Sequence, residues 1–303
     1  MDSGQAQRIV ECVPNFSEGR RSQVVAEIVA AITSVQGVKL LDFSSDASHN
    51  RSVVTFVGTP EDVEAAAFAG IERARDLIDM EQHHGEHPRL GATDVVPFVP
   101  IAGVTTEECV EIARRLGRRV GEELQIPVYM YEEAAMRPDR RNLADVRRGE
   151  YEGLKAAIGT PERAPDYGPA AVHSTAGATV IGARMPLIAF NVNLGTSDVE
   201  IAKKIAKAVR GSSGGLANVK ALGVMLDDKH VAQVSMNLVN YVKTPVHRVL
   251  EMVRREAARY GVPVAETELI GLIPLDAVLD TAAYYLQLPK LGRNQVIEAR
   301  IWD

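Results

Sequence analysis

The chain has 303 residues, 46% of them hydrophobic, with 34 Lys and Arg against 40 Asp and Glu for a net charge of -6. That length exceeds the usual size of one domain, so two are expected, and the composition excludes a disordered or fibrous chain. The acidic balance gives no general attraction for nucleic acid or an anionic membrane, and aromatics at 5% leave no stacking platform for single strands, so neither partner is expected.

Met1-Asp2-Ser3-Gly4-Gln5 has neither the basic flank nor the apolar stretch of a secretory signal, and no apolar run is long enough to span a bilayer. Arg8 to Val13 reads as a strand, closed by Pro14 and the turn-prone Asn15 to Gly19. Val25, Ile28, Val29 and Ile32 then recur at helical spacing. Val38 to Phe43 and Ser52 to Val57 read as strands around a polar turn, Ser44 to Arg51. Thr59-Pro60-Glu61-Asp62 opens a helix expected to run to about Met80, with Thr as cap, Pro at the first helical position and acids at the positive helix end. Asp94 to Ile101 is the next strand. Thr105-Thr106-Glu107-Glu108 has the spacing of a capping box, ahead of an apolar stripe of Cys109, Ile112, Ala113, Leu116 and Val120. Cys12 and Cys109 are too few and too far apart for a disulfide framework or zinc ribbon, so both are expected as buried thiols in a reducing cytoplasm.

Met136 to Met185 breaks this pattern. Its Arg137, Arg140, Arg141, Arg147 and Arg148 read as a solvated helix face with Asp139, Asp145 and Glu150. The Gly-rich run Gly168 to Gly182 follows, where glycines permit close backbone approach to a ligand or plain turns. Beyond it the earlier order returns. Leu187 to Leu194 is a strand, Ser197-Asp198-Val199-Glu200 a second capping box, and Ile201, Ile205, Ala208 and Val209 the inward face of its helix. A strand starts at Val219-Lys220 and turns around Asp227-Asp228-Lys229-His230. Thr244-Pro245 repeats Thr59-Pro60 as a helix start, and Thr267 to Leu275 parallels Thr93 to Ile101. Gly211-Ser212-Ser213-Gly214-Gly215 lacks the lysine of a phosphate loop and reads as a linker. The order β-α-β-β-α-β in each half predicts an α/β (α+β) fold of two ferredoxin-like subdomains, residues 1–183 and 184–303. Their bare sheet faces would bury most by meeting across a ligand cleft.

Three of the seven histidines fall in His83-His84-Gly85-Glu86-His87, ahead of Pro88-Arg89. No metal is expected there. Gly85 and Pro88 break the helix on which two imidazoles would share a face, and no Cys is near. A catalytic loop is the better reading, because imidazole titrates close to neutrality. For His83 and His84 a plain place at a helix end competes with it. Asp46, His49, Asn50 and Arg51 crowd the first hairpin turn, where they could orient a ligand or only satisfy the turn.

Val10 to Gly19, His49-Asn50-Arg51-Ser52-Val53, His83 to Gly91 and Pro165-Asp166-Tyr167-Gly168-Pro169 resemble the glutamate formimidoyltransferase family, over nearly the whole chain. Some members fuse this module to a helical cyclodeaminase; here the chain ends at Asp303 and only the transferase portion is matched. The resemblance implies transfer of a formimidoyl group from N-formimidoyl-L-glutamate to N5 of tetrahydrofolate, in histidine degradation. It implies tetrahydrofolate as co-substrate, two subdomains around a substrate tunnel, and a homodimer. It puts the catalytic histidine at His87 and the folate-binding segment at Gly168, Pro169, Ala170, Ala171, Val172, His173, Ser174, Thr175, Ala176 and Gly177. Some relatives carry an aromatic where this chain has Ala176, and an Asp where it has Ser44; Asp46 is the carboxylate that could stand in as partner of His87. Asn50 is a supporting residue, and Arg51, Arg89 and Arg184 are candidate donors for the anionic ends of folate and glutamate. Glutamate's nitrogen leaves only once protonated, so His87 is expected as a general acid. Two other functions stay open: formyl transfer between 5-formyltetrahydrofolate and glutamate, and folate binding without turnover.

Overall fold

A computed structural model describes residues 7–226 and 229–302. Met1 to Gln5, and Asp227 and Asp228 of the expected hairpin turn, lie outside the described residues. The chain divides into two compact units, residues 1–184 and 185–303.

In the first unit β1 (Ile9–Cys12), β2 (Asn15–Phe16), α1 (Ser22–Thr33), β3 (Lys39–Asp46), β4 (Arg51–Gly58), α2 (Pro60–Leu77) and β5 (Thr93–Ala102) run in βαββαβ order. Then α3 (Thr106–Glu123), β6 (Val128–Glu132), α4 (Leu143–Val146), α5 (Glu150–Ala157) and β7 (Thr179–Ala183) extend it. Pro14, with no N–H for the ladder, interrupts the first strand, so β1 and β2 follow one another along one slot between β4 and β5. β3 is antiparallel to β4, and β7 lies between β5 and β6, parallel to both.

Helix starts follow local chemistry. Thr59 Oγ1 accepts from the Asp62 amide at 3.2 Å, and Thr105 and Glu108 close a reciprocal capping box. Ile28, Ile32, Val63, Ile71, Ile112 and Leu116 of α1 to α3 pack in one core with Phe56 and Phe98 of the sheet. A second cluster joins Val146 of α4 and Leu154 of α5 to Tyr129 and Val180. Cys12 and Cys109 are buried free thiols in the larger core.

The first unit departs from the sequence pattern at four places. α2 stops at Leu77, short of Met80. β3 continues through Ser44 to Asp46, which pairs with Arg51, so these polar residues belong to a strand and not to the turn. Within the Gly-rich run lies β7, whose Val180 and Ile181 fill opposite cores. A short strand covered on both faces has no polar alternation to betray it. Nor do all the arginines of residues 137–148 form a solvated face. Arg140, 4% exposed, pairs with Asp166 at 2.6 Å and lies over the Tyr129 ring, and Arg147 pairs with buried Asp94; Arg141 and Arg148 are exposed.

In the second unit β8 (Ile188–Leu194), α6 (Val199–Val209), β9 (Val219–Leu226), β10 (Val231–Leu238), α7 (Val246–Ala258) and β11 (Val264–Ile270) repeat the βαββαβ order, followed by α8 (Leu275–Tyr285) and α9 (Ile297–Trp302). The sheet is antiparallel with order β11-β8-β10-β9. In the first unit β5-β1-β4-β3 has the equivalent order, so both units are ferredoxin-like. Val192, Leu194 and Val234 pack with Ile205, Val209, Val249 and Val253 in its core. Three repeat landmarks shift. Asp198, not Ser197, caps α6, its Oδ1 accepting from the Glu200 amide at 2.9 Å. Thr244 gives its hydroxyl to the Ala217 carbonyl, and Pro245 stands at the start of α7. β11 ends at Ile270, where Gly271 at φ +72° turns the chain toward α8. Among the described residues, no helix is long and apolar enough to cross a membrane.

Candidate active site

The histidine loop between α2 and β5 is held from several sides. Asn50, at φ +48°, accepts from the Gly19 amide at 3.0 Å and donates Nδ2 to the His84 carbonyl at 3.1 Å. Asn tolerates that left-handed backbone better than most residues, and here one side chain ties the end of the β3–β4 turn to two other loops. A Cβ on Gly85 would lie 2.3 Å from the His49 carbonyl, so only glycine allows the turn and the histidine loop to pack this closely. His83 is buried and not at a helix end. Arg89 Nε donates to its Nδ1 at 3.3 Å, so Nε2 carries the ring proton toward the Asn50 carbonyl at 3.0 Å. Burial lowers its pKa. His83 thus positions the loop.

Arg89, Asp46 and Arg184 each have partners within the protein. Arg89 is buried and committed: Nη1 donates to Glu150 at 2.9 Å and Nη2 to Glu152 at 2.7 Å, fastening the loop to α5. Its fork is engaged by these glutamates, and Arg89 also lines the His87 cleft. Asp46 Oδ1 accepts from the His49 amide at 2.8 Å, and Oδ2 stands 3.1 Å from His49 Nδ1, which holds the Asp46 pKa down. Asp46 therefore partners His49 and not His87. The His49 and His87 rings meet edge-on, with centroids 6.2 Å apart. Arg184, at the end of the first unit, hydrogen-bonds Tyr131 and acts on Glu11, outside the residues lining the His87 cleft.

The carboxylate that acts on His87 is Asp94, which the sequence pattern passed over as a strand residue. Its Oδ1 accepts from the Leu90 amide at 3.0 Å and from Arg147 Nε at 3.3 Å, so it anchors the loop's end and a cation together. The available signal was a lone acid heading an otherwise apolar strand. His87 itself is half-buried, in a cleft with Ser17, His49, Asn50, Arg51, His83, Arg89 and Asp94. Burial, then the Arg51 and Arg147 charges, bring its pKa down to about 4, which Asp94 only partly opposes. The imidazole is neutral at pH 7. Burial and Arg147 also lower Arg51, to about 10, against Asp94 and Asp46. Arg51 Nε is buried and has no hydrogen-bond partner among the described residues. A buried donor left unmatched is costly, so this corner favours an anion beside a proton-transfer group.

Gly168 to Gly177 adjoins the histidine loop at its far end. The Thr175 carbonyl accepts from Met80 at 2.8 Å, the Ala176 carbonyl from Ala92 at 2.9 Å, and Ala178 donates to Leu90 at 3.0 Å. A Cβ on Gly91 would sit 2.2 Å from the Ala178 carbonyl, so the two backbones touch on either side of His87's loop. Within the segment His173 Nδ1 accepts from the Ala176 amide at 3.1 Å and from the Thr175 amide at 3.3 Å. Gly168, Ala170, Ala171 and Ser174 are exposed, and Pro169, Val172, His173 and Thr175 half-buried. Ala176, 1% exposed, packs into the larger core, and Gly177 is buried against Leu90 and Gly91. Among the described residues, no three His, Cys, Asp or Glu side chains converge as a metal-ligand set.

Residues 9–184 match the family model described as the N-terminal subdomain of the formiminotransferase domain, and residues 189–299 match the formiminotransferase domain. A glutamate formimidoyltransferase of Streptococcus pyogenes serotype M1 is 55% identical over 96% of this chain and 98% of its own. One from Thermoplasma acidophilum is 55% identical over 97% of each chain. The formimidoyltransferase-cyclodeaminase of Sus scrofa is 48% identical over 94% of this chain and 53% of its own length.

Proposed function

The chain belongs to the formiminotransferase family, and from that premise we propose that it is a transferase moving the formimidoyl group of N-formimidoyl-L-glutamate to N5 of tetrahydrofolate. The products are 5-formimidoyltetrahydrofolate and L-glutamate. The observation that carries this reading is 55% identity across nearly the full length of relatives bearing that activity in their names. Two buried free thiols agree with a reducing cytoplasm, and the family resemblance adds a homodimer.

The reaction needs a group that first takes a proton and then returns it. N5 attacks the amidine carbon with its lone pair, forming the new C–N bond, and its proton must leave. A His87 held near pKa 4 is free to accept that proton at pH 7. The resulting imidazolium then protonates the glutamate nitrogen. The old C–N bond breaks, its electrons go to that nitrogen, and glutamate departs as a neutral amine while His87 ends neutral. His87 therefore acts as base before it acts as acid. Arg51, with its unmatched buried Nε, suits a substrate carboxylate. A carboxylate arriving there would offset the charges that depress His87 and raise its pKa toward the range where proton return is easy. The exposed and half-buried residues from Gly168 to Thr175 are read as folate contacts, beside the same loop.

The test is an assay of the purified protein with tetrahydrofolate and N-formimidoyl-glutamate, and separately with 5-formyltetrahydrofolate and glutamate. Formimidoyl transfer should dominate, and His87→Ala should lower kcat by about 10²-fold or more with the unfolding midpoint kept. Wild-type turnover by His87→Ala would overturn the assignment, and turnover of the formyl pair alone would overturn the reaction.

A further inference from the structure

Among the described residues, β6, α4, α5 and β7 have no counterpart in the second unit, where α8 and α9 follow the βαββαβ core. Within this extra segment α5 takes hold of the histidine loop at both ends, and the proton-transfer chemistry above makes no use of it. At the loop's far end, Arg89 Nη1 donates to Glu150 and to Glu152 at 2.9 Å each, and Nη2 to Glu152 at 2.7 Å. At the near end, Tyr151 gives its hydroxyl to Glu81 Oε1 at 2.6 Å, and Lys155 pairs with the same oxygen. Lys155 and Tyr151 together hold the Glu81 pKa down, so this anchor is ionised at neutral pH. Glu81 and Arg89 bracket all three histidines of the loop.

The backbone at the start of α5 is arranged for this grip. Gly149 at φ +86° is followed by Glu150 at φ +56°, a left-handed conformation that glutamate seldom adopts. Such a conformation persists only where the surroundings fix it, and here the Glu150 carboxylate is bonded to a buried guanidinium. Tyr151 adds a third contact. It is 3% exposed, and a Cβ on Gly177 would come within 3.1 Å of its ring. The helix that holds the histidine loop therefore also packs against the end of the segment Gly168 to Gly177.

We propose that Glu150, Glu152 and Tyr151 of α5 are positioning residues for the transfer reaction: they clamp the histidine loop at Arg89 and Glu81 and so set His87 against the segment Gly168 to Gly177. The proposal rests on the transferase reading, in which His87 is the working group.

The full chain carrying both Glu150→Gln and Glu152→Gln keeps the size of the two side chains and removes the charges that hold Arg89. Its kcat should fall about tenfold or more, because a small displacement of a reacting group is costly, with both KM values changed less. A second readout needs no substrate. The His87 ring, followed by NMR, should titrate nearer ~6.5 than in wild type, since a released loop gives up burial and the nearby arginines. Removing two negative charges would by itself lower that value, so a rise reports displacement and not altered charge. Tyr151→Phe removes one hydroxyl and leaves the ring in place; it should move kcat and the His87 titration in the same directions, and it decides should the double variant fail to fold. Wild-type kcat, or an unchanged His87 titration, in the deciding variant would overturn the proposal. A wild-type protein inactive with both substrate pairs would sink the transferase reading, and the NMR titration alone would then judge whether α5 places His87.

Discussion

His87 shows how a short motif acquires a specific chemistry only from its surroundings. The sequence marks the histidine, but its working state comes from burial and from Arg51 and Arg147, which arrive from a hairpin and from the segment after α4. That state has a consequence for stability. In the unfolded chain His87 titrates near ~6.5, and in the folded protein near 4. Between those values the unfolded state binds a proton that the folded state does not. Stability therefore falls as pH drops from about 6.5 toward 4, and this contribution is level above and below that window. Replacing His87 by Gln should remove part of the slope, so wild type should lose more stability than His87→Gln between pH 7 and pH 4.5. Urea unfolding at several pH values measures this, and parallel curves would show that His87 is not held neutral. The sequence singles the histidine out as a candidate. Its electrostatic partners were not legible there: Asp94 sits in an apolar strand and Arg147 among surface-like arginines, and only folding brings them to the loop.

Secondary structure was legible wherever the local chemistry is self-contained. Thr59 and Thr105 cap the helices that their spacing announces, because both partners lie within one turn. Ser197 and Thr244 copy those letters but do another job, since Asp198 reaches the Glu200 amide and Ala217 takes the Thr244 hydroxyl. β7 was hidden for a different reason. Its five residues are buried on both faces and sit among glycines, so neither alternation nor length distinguishes them. The cap difference can be measured. Asp198→Ala should cost about 1 kcal/mol of unfolding free energy, whereas Ser197→Ala should stay within about 0.5 kcal/mol. Equal losses from the two would mean that Ser197 shares the cap.

At the scale of the whole molecule, the charges named as acting on His87 all belong to the first unit. Arg51, Arg147 and Asp94 all precede residue 185, as do all members of its two hydrophobic clusters. A core of that extent is large enough for independent folding. Residues 1–184 expressed alone should therefore unfold in one cooperative transition, and the His87 ring, followed by NMR, should titrate well below ~6.5. A fragment that folds but whose His87 titrates like a free imidazole would show that the charges of Arg51 and Arg147 do not suffice for the depression.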